Sequence, residues 1–171
     1  MKERSFKTRC GIHLFKRDST KDLFPVSQWL GFNFRMSEIS AAIGRVQLRY
    51  LDRWIEKRRR IAKEYLRLLP EGLVIPTEYP ARKHVFHLYV IRTSEREQMI
   101  DNLRQSGIET GIHYPVPIHR QPLFSTKEDL PQTDRFCRQI LSLPMFPDLS
   151  DDQITYICEK INLHLATSNN P

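Results

Sequence analysis

From Ser37 to Leu69 no proline interrupts the chain, and its apolar residues recur at helical spacing. Ile43, Val46, Tyr50, Trp54, Ile61, Tyr65 and Leu68 fall on one stripe of a helical wheel. Leu48, Leu51, Ile55, Ala62, Leu66 and Leu69 fall on a second, roughly 110° around at ~100° per residue. The pattern predicts one long helix over 37–70, with Ser37 as its N-cap, Glu38 at the positive helix end and a bend near Gly44. A helix with two apolar stripes packs against two neighbours, so this one is expected to bridge layers or subunits.

Beyond Pro70 the periodicity shortens. Val85–Ile91 is rich in β-branched and aromatic residues and predicts a strand, with His87 as a hydrogen-bonded core or interface histidine in its middle. Leu73–Ile75 and Ile108–Ile112 predict shorter strands, and Ser142–Pro147 an extended segment. Helices are expected over Glu95–Gln105 (Ser94 as cap, Gly107 just past the end), over Thr133–Leu141, and from a Ser150-Asp-Asp-Gln153 capping box to about Leu165. The organisation that follows is an irregular segment over 1–36, the long helix over 37–70, a small domain over 71–165 and a loose tail over 166–171. Helices mixed with a few non-adjacent strands predict an α+β fold with a small, mostly antiparallel sheet.

Composition changes this picture only where charge is concentrated. The chain has 171 residues and a net charge of +7. Between Arg45 and Arg67, nine basic residues face Asp52, Glu56 and Glu64, a local balance of 9 − 3 = +6. A solvated helix face is the ordinary reading of such a run; a basic binding module for a phosphate-rich ligand or RNA is the alternative. Cys10, Cys137 and Cys158 have neither disulfide-framework nor zinc spacing, which suits a reducing compartment, and the N-terminus lacks the apolar core of a signal peptide. No apolar run approaches membrane-spanning length, so a cytoplasmic protein is expected.

Two segments carry candidate chemistry. In Gly111-Ile-His-Tyr-Pro-Val-Pro-Ile-His-Arg-Gln-Pro122, three prolines rule out helix and central strand and hold His113, Tyr114 and His119 on a stiff loop. In Gly31-Phe-Asn-Phe-Arg-Met36, Asn33 and Arg35 alternate with aromatics at the mouth of the long helix, where an amide and a guanidinium could meet phosphate. No cysteine or carboxylate stands at ligand spacing from the histidines, so no metal site is predicted. A nucleophile elbow and a phosphate-cradling glycine loop are absent from the sequence.

Taken with Leu51-Asp-Arg-Trp-Ile-Glu-Lys-Arg-Arg59, His84-Val-Phe-His-Leu-Tyr-Val-Ile-Arg92, Gly107-Ile-Glu-Thr-Gly-Ile-His113 and Leu141-Ser-Leu-Pro-Met-Phe-Pro147, these two segments resemble the DegT/DnrJ/StrS family of sugar aminotransferases, in order from about Phe6 to Ile161. The resemblance implies a pyridoxal-phosphate enzyme of fold type I that moves an amino group, usually from glutamate, onto a nucleotide-linked keto-sugar. It implies a homodimer, in which Asn33 would reach the cofactor phosphate of the neighbouring subunit with Arg35 beside it. His113 and Tyr114 would line the sugar-nucleotide pocket, with His119 a further candidate. That chemistry needs a lysine to bond the cofactor, and none of the nine lysines stands in the family's lysine motif. The expectation is therefore the C-terminal part of such an enzyme, the small domain with its bridging helix. Such a chain would be inactive alone, or would serve as a partner subunit of a full-length paralogue.

Overall fold

The structure is a computed structural model, and it describes residues 36–124 and 128–168. Asn33 and Arg35 lie outside the described residues, as does all but Met36 of the segment 1–36 expected to be irregular, and the last three residues of the tail. Residues up to Gln47 and residues from Leu48 onward form separate units.

In the first unit, helix α1 (Glu38–Leu48) begins where the sequence places it. The Ser37 hydroxyl accepts a hydrogen bond from the Ser40 amide at 3.1 Å, and the Ser37 carbonyl accepts from the Ala41 amide at 2.9 Å. No α1 residue is buried, and Ile39, Ile43 and Val46 are all exposed.

The predicted single helix over 37–70 is interrupted. Its first part ends at Leu48, and α2 (Leu51–Leu68) restarts after a turn at Arg49–Tyr50, not at Gly44. No proline or glycine stands at that turn, so the sequence does not mark it. Only part of the apolar double stripe is covered among the described residues. Ile61 and Tyr65 are fully buried and Ala62 and Leu69 are buried, whereas Leu51 and Leu66 remain exposed.

The buried face of α2 packs on α5 (Asp151–Ser168) and on a two-stranded antiparallel sheet. Strand β1 (Tyr89–Arg92) pairs with β2 (Ile140–Leu143) in the register Tyr89 with Leu143 and Ile91 with Leu141. Single bridges extend the ladder on both sides, Val74 to Arg92 and Gly111 to Ser142. The inward residues Tyr89, Ile91, Leu141 and Leu143 join Met99 and Leu103 of α3 (Arg96–Gln105) and Ile154, Ile157 and Ile161 of α5 in one core. Full burial of each such aliphatic side chain contributes about 1.5–3 kcal/mol. Across the core, the Tyr65 and Tyr89 rings lie 4.8 Å apart, and the Tyr65 hydroxyl donates to the Pro144 carbonyl at 2.8 Å. The fold is α+β with a small antiparallel sheet, as the sequence predicts.

Three strand expectations are corrected. Of Val85–Ile91 only Tyr89 onward is strand, and His87 is exposed outside it, neither core nor ladder. Phe86 has φ +47° and Ala81 φ +61°, left-handed values that a regular strand does not contain. Ile108–Ile112 contributes one bridge at Gly111, and Leu73–Ile75 one at Val74. Helix α4 (Pro131–Gln139) starts two residues earlier than predicted, with Pro131 in its first turn. The α5 capping box is present in both directions. The Gln153 amide donates to the Ser150 hydroxyl at 3.2 Å, and the Ser150 amide donates to the Gln153 side chain at 3.0 Å. The helix runs through Ser168, past the start of the predicted tail.

Over its central four residues the basic run is paired, partly inside the fold and partly at the surface. Arg58 donates to the carbonyls of Phe86 (3.2 Å), His87 (3.0 Å) and Met145 (2.7 Å). Arg59 grips Glu78 through both nitrogens at 2.5 and 3.1 Å and also donates to the His84 carbonyl at 2.7 Å. Lys57 pairs with Asp148 at 2.6 Å, and Arg60 with Asp151. These cations tie α2 to the 84–87 segment and to the start of α5. Arg58 and Arg59 are engaged inside the fold, whereas Lys57 and Arg60 pair with exposed carboxylates at the surface.

Candidate functional site

The sheet has an outer face because β pairing alternates side chains. Tyr89, Ile91, Leu141 and Leu143 point to the core, which leaves Val90, Arg92, Ile140 and Ser142 on the other side. Ser142 is a lone hydroxyl between two leucines, and it is only 4% exposed. Gly111 bridges it through both backbone groups, Gly111 N–H to the Ser142 carbonyl at 3.0 Å and Ser142 N–H to the Gly111 carbonyl at 2.7 Å. That bridge brings the next loop over the strand. His113 Nδ1 then sits 2.9 Å from the Ser142 hydroxyl. The imidazole folds so closely over Gly111 that a Cβ there would lie 2.7 Å from His113 Cε1. A side chain at 111 would displace the ring from this seat.

His113 is exposed apart from this seat, and the Tyr114 ring meets it edge-on at 5.6 Å while remaining 72% exposed itself. The structure therefore brings His113 and Tyr114 together at the open edge of the sheet, with one imidazole nitrogen anchored.

His119 is placed differently. It lies in a short 3₁₀ turn, Ile118–Arg120, and is 9% exposed. Its Nε2 is 3.3 Å from the Asp134 carboxylate of α4, which the adjacent Arg120 also holds at 2.8 Å. The Arg120 guanidinium, followed by the fields of His119 and Arg138, keeps the Asp134 carboxyl below the usual range. Arg120 thus docks the proline loop onto α4, and His119 is buried beside that ion pair with its Nε2 making no hydrogen bond. Sequence spacing offers His113 and His119 as a pair, yet their partners lie on different elements.

Ser142, Gly111 and Asp134 were not singled out from the sequence. The one signal in the sequence is a single serine in the apolar run Ile140-Leu-Ser-Leu143. A second polar group on the outer face, Arg92, lies over the Phe136 ring at 4.2 Å and lines a hollow of about 300 Å³ with Val74, Ile75, His84 and Ile140. Elsewhere, buried His164 on α5 takes the Asn102 amide at 2.7 Å and stands 3.4 Å from Glu95, a polar clasp between α5 and α3.

The described residues do not form a seat for pyridoxal phosphate. A covalent seat needs a lysine free of strong partners and a carboxylate for the ring nitrogen. Lys57 and Lys83 are ion-paired, Lys160 lies 5.1 Å over the Tyr156 ring, and Lys63 is exposed. The buried polar residues among those described are His119, Ser142 and His164, none of them acidic. No group of metal-ligating side chains occurs among the described residues, and no described helix is long and apolar enough to cross a membrane.

The architecture is nonetheless that of a known enzyme class. The fold is found in fold-type I aminotransferases. S. venezuelae DesV matches with a TM-score of 0.77 and 33% identity, over 85% of this chain and 40% of that one. An aminotransferase from Brucella abortus matches with a TM-score of 0.77 and 28% identity, over 85% and 39%. The chain belongs to the DegT/DnrJ/EryC1/StrS aminotransferase family, which residues 6–162 match. The enzymes of this family depend on pyridoxal phosphate. A pleiotropic regulatory protein of Geobacillus stearothermophilus is 44% identical over 140 residues, 77% of this chain and 38% of that protein. The dTDP-3-amino-3,4,6-trideoxy-alpha-D-glucose transaminase of Streptomyces venezuelae is 36% identical over 137 residues, 77% of this chain and 36% of that protein. The chain thus spans under two-fifths of the length of these two relatives.

Proposed function

We propose that this chain supplies the C-terminal, substrate-facing part of a pyridoxal-phosphate-dependent aminotransferase that acts on nucleotide-linked keto-sugars. Glutamate is the amino donor in this reading, and the working enzyme is a cytoplasmic homodimer or a pairing with a longer relative. The observation that carries it is the His113–Tyr114 pair, exposed at the sheet edge with the imidazole anchored on Ser142. An aromatic face beside an imidazole suits a nucleotide sugar, which offers a base to stack on and oxygens to hydrogen-bond. Burial of His119 beside the Arg120–Asp134 ion pair holds the loop from below. Asn33 and Arg35 are assigned to the cofactor phosphate of the neighbouring subunit. None of the nine lysines stands in the family's lysine motif, so in this reading the chain by itself does not transaminate. The RNA-binding alternative is less well supported, because Lys57 to Arg60 already have internal partners.

Two measurements test this. Borohydride reduction of the chain with pyridoxal phosphate, read by peptide mass spectrometry, should give no adduct at a single lysine. Addition of a dTDP- or UDP-linked sugar should shift the NMR signals of His113 and Tyr114. A uniquely trapped lysine, or a nucleotide sugar that leaves both residues unmoved, would refute the proposal.

A further inference from the structure

We propose that Ser142 is a positioning residue for His113: it fixes the imidazole as an outward-facing Nε2–H donor, so that the ligand group His113 meets is a hydrogen-bond acceptor such as a phosphate or carbonyl oxygen. The use of that donor rests on the function proposed above. The tautomer and the ring orientation do not.

The argument turns on where one proton goes. Ser142 Oγ and His113 Nδ1 are 2.9 Å apart, and either could donate. If Nδ1 carries the proton and donates to Oγ, the serine O–H proton is left over. Ser142 is 4% exposed, and His113 Nδ1 is the one partner of its hydroxyl among the described residues. That arrangement buries an unsatisfied donor. If instead the serine donates to Nδ1, both groups are satisfied, and the remaining ring proton sits on Nε2 of an exposed residue, where water or ligand can accept it. An unsatisfied buried donor shifts such an equilibrium on the order of tenfold or more.

Orientation is fixed by Gly111, Ser142 and Tyr114 together. The Gly111–Ser142 bridge, closed at 2.7 and 3.0 Å, sets the backbone of the loop against β2. The missing Cβ at Gly111 leaves the space that His113 Cε1 occupies. Ser142 holds Nδ1, and the Tyr114 ring closes on the imidazole from its edge. The ring is thereby held on one side and free on the other, the arrangement by which a second group sets what a histidine presents.

The experiment uses the whole chain, labelled with nitrogen-15. Long-range nitrogen–proton spectra of wild type should show His113 with a protonated Nε2 and an unprotonated, hydrogen-bonded Nδ1. A strong cross-peak should connect His113 Hε1 to the Gly111 α-protons. In Ser142→Ala that cross-peak should weaken at least several-fold, and the tautomer ratio should relax towards that of a solvated histidine peptide. Ser142→Thr, which keeps the hydroxyl, should restore both. A protonated Nδ1 in the wild type overturns the proposal without any variant, so the test survives if Ser142→Ala does not fold. An Ala variant that folds and keeps the wild-type ring signals overturns it as well. Titration with dTDP separates the two claims. If the tautomer and cross-peak are as expected but dTDP leaves Nε2–H unshifted, the positioning stands and the assignment of a phosphate-bearing ligand falls.

Discussion

Arg58 is expected to matter far more to stability than its neighbour Arg60, although both belong to one basic run. One terminal nitrogen of Arg58 shares its two protons among three backbone carbonyls on two separate segments, Phe86 and His87 on one and Met145 on the other. Hydrogen bonds from a charged donor contribute about 1.5–3 kcal/mol each when the acceptor is otherwise unsatisfied, and they do not add fully. Two of the three are part-buried, and the His87 carbonyl can rehydrate. Arg58→Met keeps the aliphatic stem, so the loss isolates the guanidinium and should amount to about 2–4 kcal/mol. Arg60 pairs with Asp151, and their side chains are 48% and 74% exposed. A pair in that much solvent contributes about 0–1 kcal/mol. Urea unfolding followed by far-UV circular dichroism should lower the Arg58→Met midpoint by about 1–2 M relative to wild type, at an m-value of about 2 kcal/mol/M. Arg60→Met should move it by less than about 0.5 M on the same scale. Equal shifts for the two variants would mean that the carbonyl contacts of Arg58 carry no more than surface electrostatics, and the reasoning would fail.

Glu78 is held down to about 2 from an ordinary value near 4.5, first by the Arg59 guanidinium and then by the His84 backbone N–H. A carboxyl depressed in the folded chain stabilises it above the unfolded value, and that contribution is lost as pH falls from about 4.5 towards 2. Glu78→Gln should therefore narrow the stability difference between pH 6 and pH 3 in chemical unfolding; an unchanged acid limb contradicts the assignment. Burial pushes the Cys158 thiol up to about 12, whereas Cys137 is half-exposed. Iodoacetamide at pH 8 should modify Cys137 in the folded chain and Cys158 only after denaturant is added, as read by peptide mass spectrometry. Ser150→Ala should cost about 1 kcal/mol in thermal or urea unfolding, because it removes one half of the α5 capping box.

The sequence made the helix ends legible wherever a side chain does the capping. Ser37 and the Ser150–Gln153 pair act within four residues of themselves, so local spacing is sufficient to find them. It misread the stretch 85–88, and the cause is non-local. Alternation in Val-Phe-His-Leu reports which side chains favour burial, but a strand also needs its carbonyls for a ladder. Here the His84, Phe86 and His87 carbonyls are taken by Arg58 and Arg59, residues on a helix 25 to 29 positions earlier. The same two arginines are thereby engaged inside the fold, which removes them from the exposed part of the basic run. The site was half legible for a similar reason. The proline loop and His113 stand out as sequence, while the hydroxyl that orients the imidazole lies 29 residues away on a strand that looks purely apolar.

This has a consequence for testing anion binding by charge reversal. Glu at 58, 59 and 60 together would sever the carbonyl contacts and the Glu78 grip, so lost binding would report lost structure. Reversal at Arg49 and Lys63, which are exposed and outside those contacts, leaves the fold's own bonds in place. A salt-dependent oligonucleotide affinity that falls in Arg49→Glu/Lys63→Glu while urea stability is unchanged would revive the nucleic-acid reading. Unaltered retention in that variant, with stability also unaltered, leaves the basic run as internal scaffolding.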